Sequence, residues 1–522
     1  MAPPESVAQP NERVARWISF GSFALALSLY VYQLTVPSMP AYYDSGVYVA
    51  GATALVHGIL PYHDFTFVNP PGILYLLAPI AAVGRILGVH FVLVCGRWLS
   101  VLVTASVAGI ASWMLRGRGT IAMLFAGALT AALPIVDTVS SAVKLDAFCV
   151  ALSLIGAELV LPYLSANSSA SDLGRRRAVA SGALFGLAGA IKLWAIFPFL
   201  ALVLCVIVWR RARAVNVVLG AGAGFLVLVL PFFIVDPGAF VHQVFADQLS
   251  QPSLAATSPG ALLRLMEISG FVWTSFAYTT SSVVLWISIL LTLVACSIVV
   301  DPRLEPVELF FLLSAGAVTA GLLAAPAWDL YYAYFASPFL IGVVAMALAR
   351  LWRVFRRLVL VGRVSRDMVH FTRAILGLLS VVLVAATANS NVEFFQYFSS
   401  TGFAPSQLAV IPRVIPRSAC VVYTYVFEGV ETNRLSLGRR GCPDVVDSYG
   451  IFQSAGMNTA HPSSAVVREW KSYLTDAQFV VFDAPDTLYV PWTPRLLSWF
   501  HKNYRLVYAE TGVNIYHHRP RS

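Results

Sequence analysis

Residues 41 to 72, AYYDSGVYVAGATALVHGILPYHDFTFVNPPG, gather two carboxylates, two histidines, six aromatics and a Pro-Pro step beside an apolar run. Asp44, flanked by Tyr43 and Ser45, is placed for general-base work: partial burial among aromatics raises a carboxyl pKa and suits it to take a proton from a hydroxyl. The same residue also suits the N-cap of a helix beginning near Gly46, and the two roles can coexist. Asp64 lies in an irregular stretch, with Tyr62, His63 and Asn69, that ends at Pro70-Pro71-Gly72; organising that loop and touching a substrate are equally open to it. His57 and His63 are six apart, which is not the spacing of a two-histidine metal site on a helix.

Three isolated cations stand beside apolar helices: Arg97, Lys144 in VKLDAF and Lys192 in AIKLWAIF. Unpaired burial there is costly, and binding a phosphate, pairing with Asp137, Asp146 or Asp329, or snorkelling to the interface each relieves it. The segment WDLYYAYF adds Asp329, Tyr331 and Tyr332, which can line a sugar or lipid groove or serve as interfacial anchors.

These groups must be held by membrane helices. Of 522 residues 58% are hydrophobic and 12% charged, and the mean hydropathy is +0.74, whereas a soluble chain carries about 25% charged residues. Apolar runs long enough to cross the bilayer recur between 17 and 388, and the remainder has soluble composition. Basic clusters at Arg116 and Arg118, Arg175 to Arg177, Arg210 to Arg213 and Arg350 to Arg373 mark cytoplasmic loops. Starting inside, the spans that satisfy them are about 17-38, 97-115, 119-136, 146-163, 178-191, 193-209, 215-235, 271-299, 307-325, 330-349 and 372-388, about eleven. The run 73-84 is too short and is expected to lie at the outer interface. The N-terminus is thus expected in the cytoplasm, and the first outer loop (39-96) and the C-terminal part outside.

The formal charge of +9 is accounted for by the cytoplasmic loops and anionic lipid, and no nucleic-acid motif accompanies it. Most polar residues collect at helix ends on one side, which favours an enzyme at the outer interface over a transport pathway.

The order of first helix, YYDSGVY, GATALVHG, LPYHDFTFVNPPG, a short apolar helix and then GRWLSVLVTAS resembles the GT-C superfamily of polyprenyl-phosphate-sugar-dependent glycosyltransferases. That superfamily includes protein O-mannosyltransferase-like enzymes and actinobacterial cell-envelope mannosyl- and arabinosyltransferases. The resemblance implies a polytopic α-helical membrane protein in which Asp44 takes the position of the essential acid. Asp64, Asn69 and the Pro-Pro step match a second block. Asp44-Ser45 stands where some members have Asp-Glu, and Asn69-Pro70-Pro71 where others have Lys-Pro-Pro. The implied reaction is inverting transfer of a sugar, mannose or arabinofuranose, from a polyprenyl phosphate to an envelope glycan, glycolipid or protein. Tyr43, His63, Asp64, Asn69, Asp329, Tyr331 and Tyr332 are then substrate-binding candidates, and Lys192, Arg97 and Lys144 donor-phosphate candidates. No cofactor is required, a divalent metal being the lesser alternative. A lipid-linked glycan transporter and a noncatalytic assembly protein are the competing functions. The Ala/Val/Arg-rich composition is compatible with a high-GC actinobacterium. Nothing in the sequence sets the oligomeric state.

Residues 389-522 alternate short β-rich runs with polar helical stretches and read as a small α/β domain, set against a membrane domain of residues 1-388. Similar outer domains occur in the superfamily, and RRGCPDVVDSYG resembles their recurrent Pro-x-x-Val-Asp segment, with no catalytic role attached to Asp447. Cys420 and Cys442 alone among six cysteines fall there, and a disulfide is expected between them. Cys95, Cys149, Cys205 and Cys296 are read as packing residues.

Overall fold

The computed structural model describes residues 10–35, 43–164, 174–249, 260–269, 280–360, 385, 387–393, 396, 405–456, 462–482, 489–510 and 512–519. Helix α1 (Glu12–Thr35) packs on α4 (Val89–Met114) and α5 (Thr120–Ala132). Between them in sequence, α2 (Tyr43–Val56) and α3 (Gly72–Leu87) pair with each other and lie against α4. The short α6 (Asp137–Ser140) leads into α7 (Leu145–Glu158), which packs on α4 and on α8 (Arg175–Ile191). Helices α9 (Ile196–Arg210) and α10 (Ala214–Val235) follow. Later in the chain, α11 (Pro306–Ala324) and α12 (Ala333–Leu360) pack on each other, α11 on α9 and α12 on α5.

Six helical runs are long and apolar enough to cross a membrane, and up to seven if the pair Thr120–Ala132 and Pro134–Ser140, bent by 52°, is one span. The expected eleven is therefore an overcount among the described residues. The segment 178-191 lies in a helix of only 17 residues. The expected spans 193-209 and 215-235 are α9 and α10, which join without a break into the one run Leu193–Val235 and are counted there once, although the chain reverses between them. The span 119-136 is the bent pair, where Pro134 opens a separate turn. Of 271-299 the first nine residues lie outside the described ones and the rest is the apolar helix Thr280–Val300, 21 residues long, while 372-388 lies almost wholly outside the described residues.

Small residues set the closest helix packing. A Cβ on Gly182 or Gly186 would collide with the Val217 or Ala221 carbonyl, and one on Gly220 or Gly224 with the Val179 or Ala183 carbonyl. This register makes α8 and α10 parallel, so the intervening α9 carries the chain back between them.

Helix α2 has no polar stripe. Ser45 to Ala52 and Ala54 are all buried, as expected for a helix covered all round. Part of that cover is the helix Val426–Glu431, whose backbone comes so near that a Cβ on Gly46 would lie 2.5 Å from the Phe427 nitrogen. Helix α3 ends its approach similarly: a Cβ on Gly72 would lie 2.6 Å from the Ala190 carbonyl oxygen.

The C-terminal region carries a four-stranded sheet in the order β1-β2-β4-β3, formed by β1 (Val421–Tyr423), β2 (Phe479–Phe482), β3 (Tyr504–Glu510) and β4 (Val513–His518). β1 pairs parallel with β2, and the other pairs are antiparallel. Side chains alternate across a strand, and β2 uses both faces. Phe479 and Val481 join a core shared with α2, α3 and Val426–Glu431, while Val480 and Phe482 join Trp470, Leu474 and Phe500. The first core runs without interruption from the membrane helices into the sheet. A disulfide joins Cys420 to Cys442; Cys149 and Cys205 are buried, whereas Cys296 is exposed.

Candidate active site

Asp44 does not cap a helix starting near Gly46. Helix α2 begins at Tyr43, and Asp44 lies in its first turn, where the helix dipole favours a negative charge. Ser45 fixes this end of the helix: its Oγ accepts from the Val143 N–H at 3.0 Å. The neighbouring Lys144 is thereby brought beside Asp44, with Nζ 2.5 Å from Oδ2.

Lys192 forms a second pair, Nζ to Asp146 Oδ1 at 2.8 Å. Both ammoniums lie over aromatic faces. Lys144 Nζ is 3.6 Å from the Tyr331 ring centre, and Lys192 Nζ is 4.1 Å from Trp194, 4.7 Å from Tyr332 and 5.6 Å from Tyr331. Cation–π attraction at such distances helps hold a desolvated cation. Asp146 is buried, and no described donor reaches its Oδ2.

Three of these positions share one local design. Lys144, Lys192 and Asp329 each have extended backbone immediately before a helical turn. Each is followed by leucine and then a polar or aromatic residue: KLD, KLW and DLY. The break in helix geometry releases the charged side chain at the membrane end of a span, and the residue two on, Asp146, Trp194 or Tyr331, faces it across the same cavity. The repeated charged-Leu-x tripeptide is a sequence signal that reading each cation separately missed.

The cavity, about 420 Å³, is lined among others by Tyr43, Asp44, Asn69, Lys144, Asp146 and Lys192, together with Trp194, Trp328, Asp329, Tyr331 and Tyr332. The volume is typical of small-molecule sites. Asp447, Tyr449 and Tyr489 complete it from the C-terminal region; the Pro-x-x-Val-Asp resemblance marks the Asp447 segment but not its place in the site, because sequence separations near 400 residues are closed only by folding.

Three sequence candidates lie elsewhere. Asp64 Oδ2 accepts from the Leu60 N–H at 2.7 Å and its Oδ1 meets His63 Nδ1 at 2.7 Å, so both residues bind up their own loop. Arg97 is buried with its guanidinium 5.7 Å from the Phe427 ring centre, and it does not line the cavity. Asn69 lines it, while its backbone carbonyl accepts from the Tyr62 hydroxyl at 2.7 Å.

The electrostatics differ from the sequence expectation at Asp44. Burial pushes its carboxyl up, but Lys144, the Tyr331 hydroxyl bonded to it and Lys192 outweigh burial and hold it below the usual aspartate value. Asp329 goes the other way, raised by burial and by the Asp44 charge despite both lysines. Among the described residues no group of three or more His, Cys, Asp or Glu is placed to hold a metal ion. The two ammoniums, each beside a carboxylate, give the cavity chemistry that can hold an anion.

The far end of α12 carries a different cluster. Glu308 accepts from Arg350 at 2.5 and 3.0 Å, with Arg118 at 3.3 Å and Arg353 at 3.7 Å. Arg350 follows Ala333 by 17 residues, about 25 Å along a helix. The cavity and the arginine cluster thus occupy opposite ends of the membrane bundle.

No protein-family model matches this chain, and no curated protein matches its sequence. Its fold is shared with solved structures at low identity. ArnT from Cupriavidus metallidurans, solved bound to undecaprenyl phosphate, matches with a TM-score of 0.58 and 15% identity over 96% of this chain and 97% of that one. The oligosaccharyltransferase AglB from Archaeoglobus fulgidus, in complex with an inhibitory peptide and a dolichol-phosphate, matches with a TM-score of 0.52 and 13% identity over 96% and 74%. The arabinofuranosyltransferase AftD from Mycobacteria matches with a TM-score of 0.50 and 13% identity over 97% of this chain and 40% of that one. The likeness shows that this chain shares the fold of these solved structures.

Proposed function

We propose that this protein is an inverting glycosyltransferase that moves a sugar, mannose or arabinofuranose, from a polyprenyl phosphate to a cell-envelope glycan, glycolipid or protein. The reading rests chiefly on one observation: Lys144 and Lys192, each paired with a carboxylate, converge on the Tyr331 ring in a cavity beside Asp44. Fold relatives solved with undecaprenyl phosphate and dolichol-phosphate support the donor class.

In this mechanism Asp44 takes the proton of an acceptor hydroxyl. The oxygen attacks the anomeric carbon on the face opposite the phosphate, the C–O bond to the phosphate breaks, and the configuration inverts. Lys144 and Lys192 stabilise the departing phosphate with charge that is in place beforehand. The donor's phosphodiester, which carries one negative charge, draws Lys144 from Asp44, and the second charge that the phosphate gains as it departs falls to Lys192. Asp44 then keeps the burial that raises its pKa and loses the cation that lowers it, so it becomes a stronger base when the donor is bound. No step passes through a metal.

The gathering of charged pairs at one membrane end favours transfer over transport, which needs ionisable groups along a path. With the arginine-rich end in the cytoplasm, the cavity faces outward, the N-terminus is cytoplasmic and residues 389-522 form the extracytoplasmic domain. The test is sugar transfer by the purified protein from radiolabelled polyprenyl-phosphate mannose and arabinose to envelope extract. Transfer with inversion supports the reading, and movement of intact lipid-linked glycan across proteoliposomes without transfer refutes it.

A further inference from the structure

The wall contributed by the C-terminal region has chemistry that the transfer step leaves unused. Tyr43 is its hub. Its hydroxyl accepts from the Tyr449 N–H at 2.7 Å and donates to Asp447 Oδ1 at 2.9 Å. Its ring meets those of Tyr425, Tyr489 and Tyr449 with centres 5.3, 5.9 and 6.3 Å apart. The Gly450 N–H also donates to Asp447 Oδ1, at 2.8 Å. Both described donors therefore fall on one oxygen, and no described donor reaches Oδ2 of a carboxylate that is 3% exposed and lines the cavity. Oδ2 of this cavity-lining carboxylate is thus available to accept from a ligand hydroxyl.

We propose that this wall is the acceptor subsite and that it takes a carbohydrate. Asp447 Oδ2 accepts a hydrogen bond from one ring hydroxyl, the sugar rests on the Tyr489 ring, and a second hydroxyl is presented to Asp44. This assignment rests on the transferase reading above. A sugar fits the wall better than a peptide does. Its C–H face packs on tyrosine, and its hydroxyls match a lone carboxylate oxygen. An extended peptide is recognised through backbone hydrogen bonds at a strand edge, and among the described residues no strand lines this cavity. Asp44 and Asp447 line the same cavity on either side of Tyr43, which bonds to Asp447, so an acceptor held at Asp447 shares that cavity with Asp44.

The test uses the full chain in lipid nanodiscs, with octyl mannobioside, octyl arabinofuranobioside, a serine- and threonine-containing octapeptide and undecaprenyl phosphate as probes. Saturation-transfer NMR should detect at least one glycoside and not the peptide. Asp447→Asn, which keeps a side chain able to cap the following turn, should weaken glycoside binding about tenfold and leave undecaprenyl phosphate binding unchanged. Tyr489→Ala should give a similar loss and leaves in place the bonds of the Tyr43 hydroxyl to Asp447 and the Tyr449 N–H, so it decides the matter should Asp447→Asn fail to fold. Unchanged glycoside affinity in both variants, or binding of the peptide alone, overturns the subsite. Glycoside binding without undecaprenyl phosphate binding or transfer by the unaltered protein overturns the transferase reading on which the subsite depends and leaves a carbohydrate-binding wall.

Discussion

Lys144 Nζ sits 2.5 Å from Asp44 Oδ2 across 100 residues of sequence, and the lysine, more buried than its partner, is 5% exposed against 26%. A lysine so placed depends on the carboxylate to be there at all. The resting site is thus neutralised in place, and an incoming phosphate must compete for the cation before chemistry starts.

Asp44→Asn keeps the size of the side chain and removes the base. Transfer from the radiolabelled donor should fall by a factor of about 10² to 10⁴, with donor affinity retained. Activity equal to that of the unaltered protein in the same assay would exclude Asp44 as the base.

Lys192→Met leaves Asp146 buried without its partner, and removing one member of such a pair costs about 3 to 5 kcal/mol. The expected result is a marked drop in the thermal unfolding temperature in detergent. Adding Asp146→Asn should restore most of the stability without restoring undecaprenyl phosphate binding. Recovery of both would make the pair a structural device only.

The Asp447 carboxyl is pushed up to about 6, chiefly by burial and additionally by the Asp44 charge, against lowering by the Gly450 N–H and the Tyr43 hydroxyl. Tyr43, Asp44 and Tyr48 are the titratable groups that face it. Because the folded value lies above the unfolded one of about 4, the stability this group contributes is complete below pH 4 or so and is lost as pH rises through about 6. Glycoside binding follows the opposite course, since the carboxylate is the acceptor, and should strengthen with pH across that window. Asp447→Asn should flatten both profiles between pH 4 and 7, as followed by thermal unfolding and by NMR titration. Asp44, held below the usual aspartate value, adds no limb there, and a binding curve unchanged in Asp447→Asn would assign the limb to another group.

Gly46→Ala puts a methyl group where the Phe427 backbone already stands. Overpacking of this kind costs about 1 to 3 kcal/mol. Its signature should be lowered thermal stability with faster proteolysis of the C-terminal region, while Ala at Gly21, where an added Cβ meets nothing within 4 Å, should leave both unchanged.

Cys442→Ser opens the link to Cys420 and frees a 22-residue separation. A loop of that length is worth about 3 kcal/mol. Chemical denaturation should show that loss, and non-reducing peptide mapping of membranes should find the pair joined, as an oxidising outer compartment requires. Two free thiols in native membranes would place the domain on the reducing side.

Hydropathy and charge alone determine that the chain is a multi-pass membrane protein, because a hydrocarbon slab imposes one requirement on every span whatever its neighbours. Asp44 and the two lysines are legible for a related reason: a charged residue at the end of an apolar run demands compensation. The number of spans is not legible, since helices such as Arg175–Ile191 are short and proline bends others, so length alone does not say where one crossing stops. Which partner each cation takes is a property of the tertiary structure. Ser45 docking on Val143 delivers Lys144 to Asp44 and reverses the direction in which burial would move that carboxyl, while Asp447, whose segment the resemblance marks without giving the residue a role, becomes part of the cavity only because Tyr43 reaches it across 404 positions. Partial charges act through space and fall off with distance, so a site built from many separated segments acquires its chemistry only when folding sets those distances.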